Sequence, residues 1–333
     1  MNIIEKIKEN AKSLNKTIIL PESTDIRTLK AASMTTKEGF ASIILIGSND
    51  DINKLAREND LNLDGVKIIE PNTFSDTEKL INGFYELRKN KGMTLEQAKD
   101  IIMNNNLYFG NMLVKLGYAD GLVAGAINSS ADVLRASLQI LKTDKNSKIV
   151  SSFFLIDVPN CEYGEDGVFI FSDCGMIPDP TSEELVEIAK SSAMSFEQLV
   201  GKTPKVAMLS YSTMGSAKHP NIDKVIKATE LARKTYPELL LDGELQFDAA
   251  VVPKVAKSKA PNSEVAGEAN VLIFPDLNSG NIAYKIAERL AKAKAYGPIT
   301  QGIAKPVNDL SRGCNEFDIV GAIAITCVQC NKK

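Results

Sequence analysis

Short apolar runs alternate with longer amphipathic stretches along the first part of the chain. The apolar runs are TIILP, ASIILIG, VKIIEP and GLVAGA. Their length and continuous hydrophobicity are typical of buried strands, and the amphipathic stretches between them have the spacing of helices. Strands that alternate with helices form βαβ units, so the pattern predicts a parallel sheet with helices on both faces.

The pattern changes after a helix predicted over SADVLRASLQILKT. Two β-rich runs follow, KIVSSFFLIDVP and GVFIFSDC, and CEYGEDG between them has the glycines and acidic residues of a turn. This arrangement predicts a β-hairpin, after which strands and helices alternate again. We therefore place a domain boundary near Lys145.

Two further stretches, residues 94–118 and 316–329, bear on the assignment of helices. Residues 94–118 have a continuous amphipathic pattern, which predicts one long helix. Residues 316–329, EFDIVGAIAITCVQ, are apolar enough for a buried helix or a buried strand, and the pattern leaves this choice open.

Composition narrows the functional classes. The 333 residues are 44% hydrophobic and 24% charged, with a formal net charge of −3, so no strong field favours nucleic acid or an anionic membrane. No apolar run approaches the roughly 20 residues of a membrane span, and the N-terminal stretch does not resemble a signal peptide. We expect a soluble, cytoplasmic protein without a nucleic-acid or membrane partner.

Motifs for common cofactors are not found. The sequence has no GxGxxG, no GxxxxGK[ST] and no HExxH, which disfavours nicotinamide, ATP and metal enzymes. Cys327 and Cys330 form a CxxC, but zinc needs about four ligands, so we interpret them as thiols on a terminal helix. We expect no metal and no permanently bound cofactor.

Three joins between a predicted strand and a helix carry small polar residues that could expose backbone N–H groups to an anion. The joins contain Ser129 and Ser130, then Ser212 and Thr213, and finally Ser279 and Gly280. Ordinary helix capping is the alternative for each join. His219, the only histidine, is a candidate general base or a cap.

The stretch PVNDLSRGCNEFD, residues 306–318, holds the densest group of reactive side chains. Arg312, between Ser311 and a glycine, suggests a planar donor aimed at an oxyanion or a phosphate. Asp318, three residues after Asn315, also fits a capping box. Cys314 is either a nucleophile or a small buried residue.

Five blocks of the sequence are specific enough to compare with known families: DVLRASLQILKT, SYSTMGSAKHP, LDGELQFDAA, NVLIFPDLNSGNIAYKIAERL and GPITQGIAKPVNDLSRGC. They resemble the phosphate acetyl/butyryl transferase family, and the resemblance covers essentially the whole chain. The resemblance implies a fold similar to the isocitrate/isopropylmalate dehydrogenases, with two three-layer α/β/α domains and a cleft between them. In the family the final segment returns to the first domain, so the resemblance implies domains of residues 1–144 plus 298–333 and of residues 145–297. It also implies a homodimer, with dimerisation through the second domain.

The resemblance implies reversible transfer of an acetyl group between coenzyme A, a substrate here, and inorganic phosphate. The family's catalytic residues fall on Ser311, Arg312 and Asp318. Two further family arginines fall on Arg88 and Arg135, which we assign to substrate phosphates. Tyr296 and Gly297 are substrate-binding candidates, and the residues from Tyr296 to Ile299 and the segment after Asp318 are our candidates for adenine binding.

The implied mechanism is direct attack by the thiolate of coenzyme A, with Asp318 as base and with Arg312 and Ser311 as oxyanion donors. An ordinary thiol has a pKa of about 8.5 and an ordinary aspartate about 3.9, so the transfer is uphill by about 6 kcal/mol. We therefore expect an apolar wall beside Asp318. The sequential path implied by the family favours Cys314 as a bystander.

Three alternatives stay open. A phosphate butyryltransferase would use the same chemistry with a larger acyl pocket. A metal-dependent hydroxyacid dehydrogenase could share the fold. A non-catalytic sensor of coenzyme A or acetyl phosphate would not need the three catalytic residues.

Overall fold

The computed structural model describes residues 2–331. They form two compact units, one of residues 3–145 with the chain from residue 303 onward, the other Asn146–Gly302. The second boundary lies after the expected residue 297, because the strand Lys294–Gln301 belongs to the sheet of the second unit. Within residues 2–331, no helix combines the length and apolar character needed to cross a membrane.

The strands and helices are numbered in chain order. The strands are β1 Thr17–Leu20, β2 Ser42–Ile46, β3 Lys67–Ile69, β4 Gly121–Ala124, β5 Ser151–Asp157, β6 Val168–Ser172, β7 Val206–Leu209, β8 Leu241–Leu245, β9 Val271–Ile273, β10 Lys294–Gln301 and β11 Val307–Asp309. The helices are α1 Ile3–Lys12, α2 Ile26–Glu38, α3 Asn49–Glu58, α4 Thr77–Arg88, α5 Leu95–Asn104, α6 Asn106–Lys115, α7 Ser130–Ile140, α8 Ser182–Val200, α9 Pro220–Thr235, α10 Phe247–Val251, α11 Pro253–Lys259, α12 Leu277–Leu290 and α13 Glu316–Gln329.

Unit 1, residues 3–145 and 303–331, is built on a parallel sheet in the order β11–β4–β1–β2–β3. A Cβ added to Gly121 of β4 would meet Thr326 of α13, whereas one added to Gly110 of α6 would meet Leu122. Successive strand residues point to opposite faces, so α13 and α6 cover different faces of the sheet. The prediction of a parallel sheet with helices on both faces is confirmed for this unit.

Unit 2, residues 146–302, has a mixed sheet in the order β10–β5–β6–β9–β7–β8. The predicted hairpin is present, since β5 and β6 pair antiparallel. Strand β10 also pairs antiparallel with β5, and the remaining strands pair in parallel. The sequence pattern did not predict β8 or β10, because LDGEL and KAYGPITQ lack a continuous apolar run.

The prediction of one long helix over residues 94–118 is wrong. The chain leaves helical geometry at Asn105, whose φ is −137° and ψ is 102°. The Asn105 side chain accepts hydrogen bonds from the backbone N–H groups of Leu107 and Tyr108, which starts α6. Asparagine competes with the helix ladder in this way, so it acts here as a cap between two helices.

Residues 316–329, which the pattern left open, form the helix α13. Ten consecutive residues, Ile319 to Val328, are buried, so the helix is apolar around most of its circumference. It contacts α1 and α2 as well as the sheet. A helix covered on several sides needs no polar face, which explains why periodicity could not identify it.

Candidate active site

The Ser-Arg stretch connects β11 to α13 at the carboxyl end of the unit 1 sheet. Strands β4 and β11 are parallel, and Ala124 is paired with Asp309 at their ends. The loops that follow the two strands therefore leave the same edge of the sheet, which is where ligands bind in open α/β sheets. The side chains of Ser311 and Arg312 are exposed at this edge.

Asp318 lies in the first turn of α13 and forms a reciprocal cap with Asn315. Asn315 Oδ1 accepts hydrogen bonds from the N–H groups of Phe317 and Asp318, and Asp318 Oδ2 accepts one from Asn315 N at 2.9 Å. The second carboxylate oxygen, Oδ1, has no hydrogen-bond donor within residues 2–331. Asp318 is half-buried, and the apolar wall that we expect beside it stays a prediction.

Cys314 is 7% exposed, and burial raises the pKa of its thiol to about 11, although the nearby Arg27 lowers it. The thiolate is the nucleophilic form of cysteine, and such a thiol is protonated near neutral pH. These properties support the interpretation of Cys314 as a bystander.

Glu22 binds the backbone of the loop that leads into the first predicted anion site, at Ser129 and Ser130. This buried carboxylate follows β1 and accepts hydrogen bonds from four successive backbone N–H groups at 2.8–3.1 Å, those of Gly125, Ala126, Ile127 and Asn128. These four N–H groups are therefore not available to an anion, and the assignment of Ser129 and Ser130 to substrate binding stays a prediction. Sequence reasoning missed Glu22, although an acidic residue directly after a buried strand was a usable signal.

The two serines of this join make specific contacts. Ser129 is the N-cap of α7, accepting a hydrogen bond from Asp132 N and donating one to its carboxylate at 2.7 Å. Ser130 Oγ donates to Asp309 Oδ2 at 2.5 Å. The hydroxyl of Ser130 is thereby oriented by a carboxylate that lies only two residues before Ser311.

Asp309 is a second residue that sequence reasoning interpreted only as part of a turn. It is 1% exposed, and burial raises the pKa of its carboxyl to about 6, with the hydrogen bond from Ser130 acting in the opposite direction. Because the folded pKa lies above the ordinary value of 3.8, folding favours the protonated form. The stabilisation that the protonated Asp309 carboxyl gives to the folded state is complete below pH 3.8 and is lost as the pH rises through 6.

The substitution Asp309→Asn should therefore change how stability depends on pH. Between pH 4 and pH 7, the free energy of unfolding of the variant should rise relative to the wild type by up to about 3 kcal/mol, since a buried charge no longer forms. Urea unfolding at several pH values measures this difference. Asp50→Asn, at an exposed position of α3, is the control, and parallel curves for Asp309→Asn and wild type would refute the prediction.

Arg88 ends α4, and Arg135 lies in α7. Burial raises the pKa of Tyr108, and the positive charges of Arg135 and Arg88 oppose this effect. Arg88 lines a cavity of about 430 Å³ together with Lys91, and its buried Nε has no hydrogen-bond partner within residues 2–331. Arg135 is largely exposed and paired with Asp132 at 2.6 Å. The assignment of both arginines to substrate phosphates stays a prediction.

The candidates at the second join are held inside unit 2. Ser212 is fully buried, and its Oγ donates to Glu244 at 2.7 Å. Thr213 Oγ1 accepts a hydrogen bond from Gln246 N. His219 is the N-cap of α9, where its Nδ1 accepts a hydrogen bond from the N–H of Asn221, which confirms the capping interpretation.

The remaining candidates are also in unit 2. Ser279, in the first turn of α12, donates its backbone N–H and its hydroxyl to Asp276. Gly280 packs so closely that an added Cβ would lie 2.5 Å from the carbonyl oxygen of Asp173. Tyr296 and Gly297 belong to β10. Roles in substrate binding remain predictions for all four.

Comparisons with known proteins agree with this architecture. The family model described as phosphate acetyl/butaryl transferase matches residues 2–327. A phosphate acetyltransferase of Acetivibrio thermocellus is 59% identical over 329 residues, covering 99% of this chain and 98% of the relative. The structure of a phosphotransacetylase from Streptococcus pyogenes superimposes with a TM-score of 0.91 at 44% identity and covers 98% of both chains.

A more distant structural likeness shows the fold alone. A Salmonella typhimurium protein proposed to be a 4-hydroxythreonine-4-phosphate dehydrogenase has a TM-score of 0.55 at 12% identity, covering 94% of this chain and 99% of that protein. The protein thus has the dehydrogenase-like α/β fold. With the family match over nearly its whole length, the chain belongs to the phosphate acetyl/butaryl transferase family.

Proposed function

We propose that this protein catalyses the reversible reaction of acetyl-CoA and phosphate to acetyl phosphate and coenzyme A. The observation that carries the proposal is the position of Ser311, Arg312 and Asp318 in one loop and helix start at the carboxyl edge of the unit 1 sheet. Relatives that cover the whole chain at 59% and 56% identity are named phosphate acetyltransferase, which supports the acetyl group as the acyl group.

The residues support direct transfer without a covalent enzyme intermediate. Asp318 Oδ1 takes the proton of the thiol, and the thiolate attacks the carbonyl carbon of acetyl phosphate. Arg312 and Ser311 donate hydrogen bonds to the oxygen that becomes negatively charged. The bond between the acyl carbon and the phosphate oxygen then breaks, and phosphate leaves.

The test is the phosphate-dependent release of free thiol from acetyl-CoA by the purified protein, without added metal. Release that requires phosphate, with acetyl phosphate as the product, is the expected result. The same assay with butyryl-CoA distinguishes a phosphate butyryltransferase, the second candidate, by its higher rate. Binding of coenzyme A without any turnover would instead indicate a sensor and refute the proposal.

We also propose a cytoplasmic homodimer. The free cysteines of the described chain suit a reducing compartment. Helix α12 in unit 2 exposes three apolar residues at four-residue spacing, Ile282, Ile286 and Leu290, with exposures of 57%, 52% and 80%. Residues four apart share one helix face, and an exposed apolar face of this kind favours contact with another protein surface.

The substitution Ile286→Asp should shift the protein from dimer to monomer, because a carboxylate would have to be buried in the apolar contact. Sedimentation or light scattering measures the mass. Lys285→Gln, which changes the net charge by the same amount, is the control and should remain dimeric. A wild-type monomer, or an unaltered dimer in the Ile286→Asp variant, would exclude this face as the contact.

A further inference from the structure

Arg27 is an arginine whose donors are all used within unit 1. Its Nε and Nη2 donate to the carboxylate of Asp25, with Nη2 to Oδ2 at 2.6 Å. Nη2 also donates to the carbonyl of Ala126 at 2.9 Å. Nη1 donates to the carbonyls of Arg312 and Cys314 at 2.9 and 2.8 Å. A guanidinium has five N–H groups, so none is left for a substrate phosphate.

The start of α2 sets the side chain in this position. Asp25 is the N-cap of the helix, and its side chain accepts a hydrogen bond from the backbone N–H of Arg27 at 2.8 Å. The same carboxylate holds the guanidinium, which lowers the pKa of Asp25 and raises that of Arg27, mainly through their side-chain hydrogen bonds. The ion pair is thus fixed by the helix start.

The contacts of Arg27 join three segments that are far apart in the chain. One is the start of α2, the second is the loop after β4 at Ala126, and the third is the loop after β11. In the third loop, the two bonded carbonyls belong to Arg312 and Cys314, on either side of Gly313. Holding both carbonyls restrains the peptide planes on either side of the segment that contains Gly313, and glycine is the residue with the most backbone freedom. The direction in which the Arg312 side chain leaves the backbone is thereby restrained.

We propose that Arg27 is a positioning residue that holds the loop of residues 311–314 in the conformation in which Ser311 and Arg312 meet the substrate. The proposal rests on the proposed acyl transfer at this site. Arg27 acts through the backbone of Arg312 and does not touch the substrate. Lysine keeps the charge but has three donors on a single nitrogen, so it cannot bond Asp25, Ala126 and both loop carbonyls together.

Turnover of the Arg27→Lys variant is the first measurement. We expect kcat to fall roughly 100-fold, as misplacement of a catalytic group by about 1 Å can cause, with KM for either substrate changed less than about threefold, since uniform binding is retained. In the Arg312→Lys background, the same substitution should cost little more, because both changes disable one unit. A merely destabilised protein would show additive losses, and additive losses would overturn the proposal.

Hydrogen exchange provides a readout that needs no substrate. Amides of residues 311–316 should exchange at least about tenfold faster in Arg27→Lys than in the wild type. Arg57→Lys, at an exposed position of α3, is the matched control and should change neither kcat nor exchange. Unchanged exchange and turnover in Arg27→Lys would overturn the proposal.

Asp25→Ser keeps a capping side chain at the start of α2 but removes the ion pair, so it tests the same arrangement if Arg27→Lys fails to fold. As in Arg27→Lys, kcat should fall and amide exchange of residues 311–316 should become faster, each by a smaller factor. No change in either quantity would count against the proposal. Wild-type protein without acyl transfer would refute the proposed function. In that case, faster exchange in the variants would still support the restraint of the loop, and unchanged exchange would refute it.

Discussion

Replacing Arg312 by lysine is expected to lower kcat/KM by about two to three orders of magnitude, the usual cost of losing one donor to a developing oxyanion. The guanidinium is planar and can hold two oxygens at once, whereas the lysine ammonium is a compact charge on a flexible chain. The side chain is exposed, and among residues 2–331 it is the backbone carbonyl of Arg312 that accepts the hydrogen bond from Arg27. The variant should therefore fold normally and lose transition-state stabilisation.

Initial rates with acetyl-CoA and phosphate, measured over a range of each substrate, give the two constants. The unfolding midpoint should match that of the wild type, and Arg57→Lys should be fully active. If Arg312→Lys kept a near-normal kcat/KM, the planar donor would have no role in the transition state, and the proposed mechanism would lose its oxyanion site.

The Asp318→Asn substitution should reduce kcat by about 10²- to 10⁴-fold, the contribution expected of a general base, with little change in KM. The amide oxygen of asparagine can still accept the hydrogen bond from Asn315 N, so the start of α13 should be preserved. The loss then reports on the proton acceptor alone. Steady-state kinetics and circular dichroism together check that turnover falls while the helix remains.

Glu316→Gln is the matched control for this variant. Glu316 is also a carboxylate in the first turn of α13, but its Oε1 forms a long ion pair with Lys30 Nζ at 3.7 Å. Its neutralisation should leave turnover within about threefold of the wild type, as expected for a surface charge. Equal losses of turnover in the two variants would indicate that the negative charge at the start of α13 matters, and not a proton acceptor at Asp318. Near-normal turnover in Asp318→Asn would remove Asp318 from the mechanism.

The local signals in the sequence were sufficient for much of the fold. The alternation of apolar runs and amphipathic stretches predicted β1 to β4 with most of the helices of unit 1, and the hairpin of unit 2, but not β11. The cap formed by Asn315 and Asp318 was also visible as a spacing. Such features depend on residues only a few positions apart, where geometry follows directly from the backbone. The break at Asn105 was missed because one asparagine is a weak signal within a continuous amphipathic pattern.

The contacts that arrange the site depend on partners far apart in the sequence. Arg27 bonds the carbonyl of Arg312 across 285 positions, Ser130 bonds Asp309 across 179, and Glu22 bonds Gly125 across 103. No periodicity or spacing identifies such pairs, because they meet only when parallel strands bring their carboxyl ends to one edge of a sheet. The sequence alone determined the alternating elements, the family and the Ser-Arg stretch. Tertiary structure alone decided that Glu22 bonds the loop after β4, that Asp309 bonds Ser130, and that Arg27 bonds the carbonyls of that stretch.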